Sequence, residues 1–133
     1  MKKIIVFGSF DPVHEGHRNF LNHAKELGDF LTVVVARDNN IEEQKNHKPM
    51  FDEQARLKAV RDLGIANKTV LGGETGEYEV LDSEKPDIIA LGYDQKIPQP
   101  LINKVKKYKV ITLKPFKPDI YKSSKIRVLK PDN

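Results

Sequence analysis

Cysteine is absent from the chain, which excludes disulfide staples, thiol nucleophiles and every metal site that needs a thiolate. Long apolar runs are missing too, and no stretch approaches the roughly 20 residues of a membrane-spanning helix. The opening MKKIIVFGSF carries two lysines, but its apolar stretch is shorter than the roughly 7–15 residues of a signal-peptide core. A G-x-x-x-x-G-K-[ST] phosphate loop and a G-x-G-x-x-G dinucleotide turn are both lacking, so neither a P-loop kinase nor a dehydrogenase fits. These absences lead to the expectation of a cytoplasmic protein with no membrane partner.

What remains is 133 residues, 38% hydrophobic and 32% charged. That is room for one domain over residues 1–133, with a compact core and a well-charged surface. The net charge of +4 hides an asymmetry: residues 104–130 carry ten Lys or Arg against the single acid Asp119, and the rest of the chain is net acidic. A basic segment suits a polyanionic ligand such as a triphosphate, or equally a nucleic acid, or is simply a solvated lysine-rich surface. Nucleic acid is not the expected partner.

Hydrophobic patterning supplies the fold class. Residues 3–7 (KIIVF) and 30–36 (FLTVVVA) are continuous apolar runs, the mark of buried strands. Shorter strands are predicted at 69–71, 87–91 and 110–113. Between them Phe20, Leu21, Ala24 and Leu27 recur at helical spacing, with Gly28 as the expected C-cap. Asp52 is placed to cap a second helix, whose Leu57, Val60 and Leu63 share a face. Further helices are expected around 77–84, 101–107 and 123–129, and the polar stretch RDNNIEEQKNHKP reads as a long loop or short irregular segment. Strand and helix alternate, which predicts a single-domain, doubly wound (Rossmann-like), parallel five-stranded α/β sheet with helices on both faces. Ligands of such sheets bind beyond the carboxyl ends of the strands. Residues 8–17, 37–48 and 92–95 and the loop leading into Ser123 are therefore where chemistry is to be sought.

The first of those loops reads GSFDPVHEGH, residues 8–17. Gly8 allows an unusual backbone angle or a close approach. His14 and His17, three apart at a helix start, can turn their rings to one side. Gly16 between them leaves the backbone open to a ligand, and the helix end offers free N–H groups and positive potential to an anion. A zinc site is poorly supported, since a third ligand could only be Asp11 or Asp94.

This loop resembles the G-[ST]-F-D-x-x-H-x-G-H signature of the HxGH nucleotidylyltransferases, a family that includes archaeal-type FAD synthase and glycerol-3-phosphate cytidylyltransferase. The resemblance implies that His14 and His17 contact a nucleoside triphosphate and stabilise the transition state of nucleotidyl transfer. Ser9, Phe10, Glu15 and Gly16 would lie along the nucleotide, Ser9 and Phe10 through their backbone. It further implies that a lysine in the loop after the second strand holds phosphate or acceptor. Lys48, just before Pro49, is the choice and completes the catalytic set; Lys45, Arg56 and Arg61 are either further contacts or solvated. LGYDQ, residues 91–95, resembles the family's L-G-x-D motif and would set Asp94 beside ribose or base. YKSSKIR, residues 121–127, resembles the I-S-[ST]-[ST]-x-[IV] motif, with Tyr121 and Lys122 standing where Ile-Ser is usual. There Ser123 and Ser124, opening the last helix, would hold the departing phosphates, with Tyr121 also at the nucleotide and Lys125 and Arg127 neutralising charge.

By this resemblance the partners are an NTP (ATP or CTP) and a phosphomonoester acceptor, Mg²⁺ enters with the NTP, no metal is bound by the protein itself, and a homodimer is the expected assembly. LGYDQ and the tyrosine ahead of the serines lean toward FMN adenylyl transfer. The R-T-x-G-I-S-T-T run expected of a glycerol-3-phosphate cytidylyltransferase is replaced by KPFKPDIYKSSKI. A nucleotide-binding module without catalysis is the alternative of another class. HEGH paired with KSSK also resembles the class I aminoacyl-tRNA synthetases, but 133 residues leave no room for their further regions.

Overall fold

The computed structural model describes residues 1–73, 77–95, 97 and 102–114. The apolar runs form parallel strands: β1 (Lys3–Gly8), β2 (Phe30–Val35), β3 (Lys68–Leu71), β4 (Ile88–Leu91) and β5 (Lys109–Thr112). Their order is β3-β2-β1-β4-β5, and every pairing is parallel. The strand order reverses between β1 and β4, which makes their carboxyl ends the switch point where such sheets take ligands.

Strand alternation divides the core in two. Ile4, Val6, Leu31, Val33, Ile88 and Ala90 face a layer formed by α1 (Glu15–Glu26) and α3 (Glu53–Asp62), which bury Leu21, Ala24, Leu57 and Val60 there. Ile5, Phe7, Val34, Ile89 and Leu91 face the opposite layer. Leu81 of α4 (Val80–Glu84) and Val105 of α5 (Ile102–Val105) cover that side, with Tyr78 stacked on Phe7 at 4.4 Å between ring centroids. The doubly wound architecture is as the alternation predicts. Among the described residues no helix is long and apolar enough to cross a membrane.

Local departures from the sequence-based expectations have identifiable causes. The polar stretch expected to be irregular contains an eight-residue helix, α2 (Asp38–Lys45). Only Asn40 and Ile41 of it are buried, so it carries no apolar stripe. It is fixed instead by outside contacts, with the Asp38 N–H donating to Glu53 Oε1 at 2.9 Å and Asn40 Nδ2 to the Gly73 carbonyl at 3.3 Å. The helix expected around 77–84 is a 3₁₀ turn, Glu77–Glu79, running into α4. Leu27, not Gly28, is the C-cap of α1. A Cβ on Gly28 would lie 2.8 Å from the Lys2 carbonyl oxygen, so glycine there answers to packing rather than to a left-handed turn. Asp52 caps α3 as expected, accepting from the Ala55 N–H at 2.8 Å. The last predicted helix lies outside the described residues.

The β1–β2 pairing ends at Gly8 and Val35, and one side chain organises the loops beyond. Arg56 of α3 is completely buried. Its Nε donates to the Phe51 carbonyl at 2.9 Å, one terminal nitrogen to the carbonyls of Ser9 (2.8 Å) and Ala36 (2.7 Å), and the other to Asp38 Oδ1 at 2.7 Å. Arg56→Met keeps most of the volume but leaves these acceptors without their donor. It should destabilise the fold by about 3 kcal/mol or more, read as a lower urea midpoint at unchanged m-value. A loss below about 1 kcal/mol would show the guanidinium to be dispensable.

Candidate active site

Beyond Gly8 the chain turns back under itself. Phe10 takes φ +52°, a conformation uncommon for a bulky residue, and its ring is buried. A Cβ on Gly8 would sit 2.8 Å from that ring, so of the two roles open to Gly8 the structure uses the close approach. The Asp11–Pro12 peptide is cis. The Asp11 carboxylate accepts from the N–H groups of Met50 (2.7 Å) and Phe51 (2.8 Å), tying this loop to the one that carries Lys48.

His14 and His17 cap the helix at the end of this loop. His14 is the N-cap, in extended backbone, and its Nδ1 accepts from the Gly16 N–H at 3.1 Å. His17, three residues on, accepts the His14 N–H on its own Nδ1 at 3.2 Å. This is a reciprocal capping box in which imidazoles replace the usual hydroxyl and carboxylate. The rings stack with centroids 3.8 Å apart and 23° between planes, and Phe10 packs on His17 at 4.9 Å.

That geometry decides where the protons are. An Nδ1 that accepts a hydrogen bond carries no hydrogen, so these bonds assign the proton of each neutral ring to Nε2. Burial pushes the His17 pKa down from 6.5 to about 3, with the neighbouring His14 adding to the effect. Burial also lowers His14, opposed by the carboxylates of Asp94 and then Glu15. At neutral pH the pair is two uncharged rings, each with an Nε2–H donor.

Asp94 is exposed in the loop after β4, near enough to His14 to act on its titration. Gln95 holds that loop: its Oε1 accepts from the Gly92 N–H and its Nε2 donates to the Phe7 carbonyl, both at 2.7 Å. Nothing in the sequence pattern singles out Gln95 as a tie. Lys45, at the end of α2, donates to Ser9 Oγ at 3.3 Å. Lys48 is exposed and, with Glu42, Asn46 and His47, lines an open cavity of about 310 Å³. Glu15 begins α1 and pairs with Arg18 at 3.5 Å. Gly16, expected to leave the backbone open to a ligand, gives its N–H to His14 Nδ1. Arg56 is neither solvated nor exposed to ligand, and Arg61 donates to the Thr69 carbonyl at 3.3 Å. Tyr121, Ser123, Ser124, Lys125 and Arg127 lie outside the described residues.

The donor set suits phosphate better than a metal ion. Both Nδ1 lone pairs are occupied and both Nε2 atoms bear hydrogen. No three His, Cys, Asp or Glu side chains converge among the described residues. A hard cation such as Mg²⁺ prefers oxygen ligands, which a triphosphate carries itself.

The desolvated neutral ring of His17 leaves a mark on stability. In the unfolded chain His17 titrates near 6.5, and in the folded chain near 3. Between those values the unfolded state holds a proton that the folded state refuses, so stability falls as pH falls. This one residue contributes up to about 1.4 kcal/mol per pH unit. His17→Gln can still accept the His14 N–H but does not titrate. The slope of unfolding free energy from pH 6.5 down to about 4 should flatten in that variant; an unchanged slope would argue against a buried neutral imidazole.

Comparison with known proteins agrees with this architecture. The cytidylyltransferase-like family model matches residues 5–128. The chain is 48% identical over 96 residues to the FAD synthase of Methanosarcina barkeri, covering 72% of this chain and 68% of that protein. It is 43% identical over 95 residues to the FAD synthase of Ferroglobus placidus, covering 71% of this chain and 61% of that one, under two thirds of its length. Among solved structures, the lipopolysaccharide core biosynthesis protein of Thermoplasma volcanium GSS1 superposes with a TM-score of 0.79 at 36% identity, covering 88% of this chain and 99% of that chain. With the strand order, the paired histidines and these likenesses together, the chain belongs to the cytidylyltransferase-like family and is a nucleotidyltransferase.

Proposed function

We propose that the protein transfers the adenylyl group of ATP to the phosphate of FMN, forming FAD and pyrophosphate. The observation that carries the reading is the pair of Nε2–H donors held by reciprocal capping beyond the carboxyl end of β1. The choice of FMN and ATP is supported by the relatives named FAD synthase at 48% and 43% identity.

A phosphate oxygen of the acceptor attacks the α-phosphorus of ATP in line with the bond to the β-phosphate bridging oxygen. One P–O bond forms, the other breaks, and its electron pair leaves on pyrophosphate. No proton must be removed from the nucleophile, so no general base is required and no covalent enzyme intermediate forms. Catalysis then rests on alignment and on donors aimed at the developing negative charge. His14 and His17 supply those donors. Burial keeps the rings neutral in the empty site, and a bound triphosphate draws their pKa values up. Mg²⁺ travels on the triphosphate and neutralises its charge.

Asp94 takes the nucleoside side, and Lys48, with Lys45 behind it, takes the acceptor phosphate. Tyr121, Ser123 and Ser124 complete the reading as contacts of the nucleotide and departing phosphates. The proposed assembly is a homodimer, which light scattering checks.

The test is direct. ATP plus FMN should yield FAD and pyrophosphate, whereas CTP plus glycerol 3-phosphate should release no pyrophosphate; pyrophosphate from the second pair alone would overturn the choice of substrates. His17→Ala should fold and lose about 10²–10³ in turnover. Turnover within tenfold of the parent protein, in a folded variant, would remove His17 from the mechanism.

A further inference from the structure

We infer that Arg18 is a further ligand of the nucleotide's phosphate chain, held in reserve by Glu15 while the site is empty. The inference rests on the nucleotide-binding function proposed for this site and adds to it a residue outside the HxGH motif. Three observations carry it.

The first is position. Arg18 comes directly after His17 and lies four residues from His14, so on α1 it flanks the His14 side of the pair. Side chains on a helix lean toward its N-terminus, which carries a long arginine in the fourth position back over the first turn.

The second is an incomplete set of bonds. The Nε of Arg18 is shielded from solvent and makes no hydrogen bond. The other arginines among the described residues behave differently. Arg37 donates its Nε to the Gly72 carbonyl at 2.7 Å, Arg56 occupies its nitrogens on three carbonyls and a carboxylate, and Arg61 reaches the Thr69 carbonyl. A shielded guanidinium N–H without an acceptor is uncommon in folded proteins, and points to a partner that arrives later.

The third is the partner that Arg18 does have. Glu15 Oε2 lies 3.5 Å from that Nε, close enough for an ion pair but without the geometry of a hydrogen bond. Both side chains remain partly open to solvent, at 44% and 32%, so the pair is loosely held and screened. A triphosphate carries more charge than one carboxylate and offers the planar oxygen pairs that a guanidinium fork matches. Bound beside His14, it would draw Arg18 away from Glu15.

The experiment measures ATP and adenosine binding by calorimetry, using the parent protein, Arg18→Gln, Arg18→Lys and Glu15→Gln. ATP affinity should fall about five- to twentyfold in Arg18→Gln, recover in part in Arg18→Lys, and rise in Glu15→Gln. Adenosine, which lacks phosphates, should bind the parent protein, Arg18→Gln and Arg18→Lys alike. ATP affinity unchanged in Arg18→Gln would overturn the inference, as would equal losses for ATP and adenosine, which would make the arginine merely structural. Weaker ATP binding in Glu15→Gln would also overturn it, since the pair would then act as a unit. Failure of the parent protein itself to bind ATP would instead sink the proposed nucleotidyl transfer.

Discussion

A single buried guanidinium sets the geometry on which the candidate site depends. Past Gly8 and Val35 the β1–β2 ladder ends, with the Ala36 N–H on the Gly8 carbonyl as its last backbone bond. Arg56 binds both continuations at once, through the carbonyls of Ser9 and Ala36, and adds Phe51 from the third segment. Burying this charge is tolerable because Asp38 sits against it at 2.7 Å and its other donors meet carbonyl oxygens. With Ser9 fixed, Phe10 is held at positive φ with its ring beneath His17. The orientation of the His17 imidazole is therefore inherited from an arginine on α3.

The same chain of constraints alters how the helix end offers itself to an anion. Free backbone N–H groups are the usual means. Here the N–H groups of Gly16 and His14 are already bonded to imidazole Nδ1 atoms. Each ring therefore acts as a relay, accepting from the positive end of the helix and donating onward from Nε2. Hydrogen bonds in series polarise one another, so the donors facing a ligand are stronger than isolated neutral imidazoles. An anion bound at these donors would lie a ring's width beyond the helix end.

The range of each interaction decides how much of this is legible in the sequence. The strands are readable because four or five consecutive apolar residues suffice to mark them, and the histidine pair because its spacing of three is local. α2 escapes a sequence reading because its stability comes from Glu53 and Gly73 rather than from its own pattern. Arg56 reads as either a surface charge or a ligand contact, since its acceptors lie up to 47 residues away and are mostly backbone carbonyls. Gln95 is separated from the Phe7 carbonyl by 88 residues. A side chain serving distant backbone leaves no period and no spacing. The weak local signal is Asp38, an acid placed where α2 begins and available to neutralise one buried cation. Asp11 stands inside a recognisable motif, yet its task of holding Met50 and Phe51 belongs to the same long-range class.

These parts differ in how firmly they are held, and the difference bears on the chemistry. The donors proposed for the transferring phosphorus sit on the buried Phe10 and Arg56 and are held by the reciprocal caps of α1. The charged groups proposed for the substrates' outer portions, Lys45, Lys48 and Asp94, are exposed side chains at the rim. A nucleotidyl transfer needs no proton relay to its nucleophile, so what accelerates it is a rigid arrangement around one atom, with little reorganisation as charge develops. Cations at the rim can move to meet ligands of differing shape without disturbing that arrangement. Neutral, partly desolvated donors also keep the empty site free of uncompensated positive charge before any triphosphate arrives. The positive charge is thus left on exposed side chains, where water supports it, and the directional hydrogen bonds are held in the part-buried helix cap.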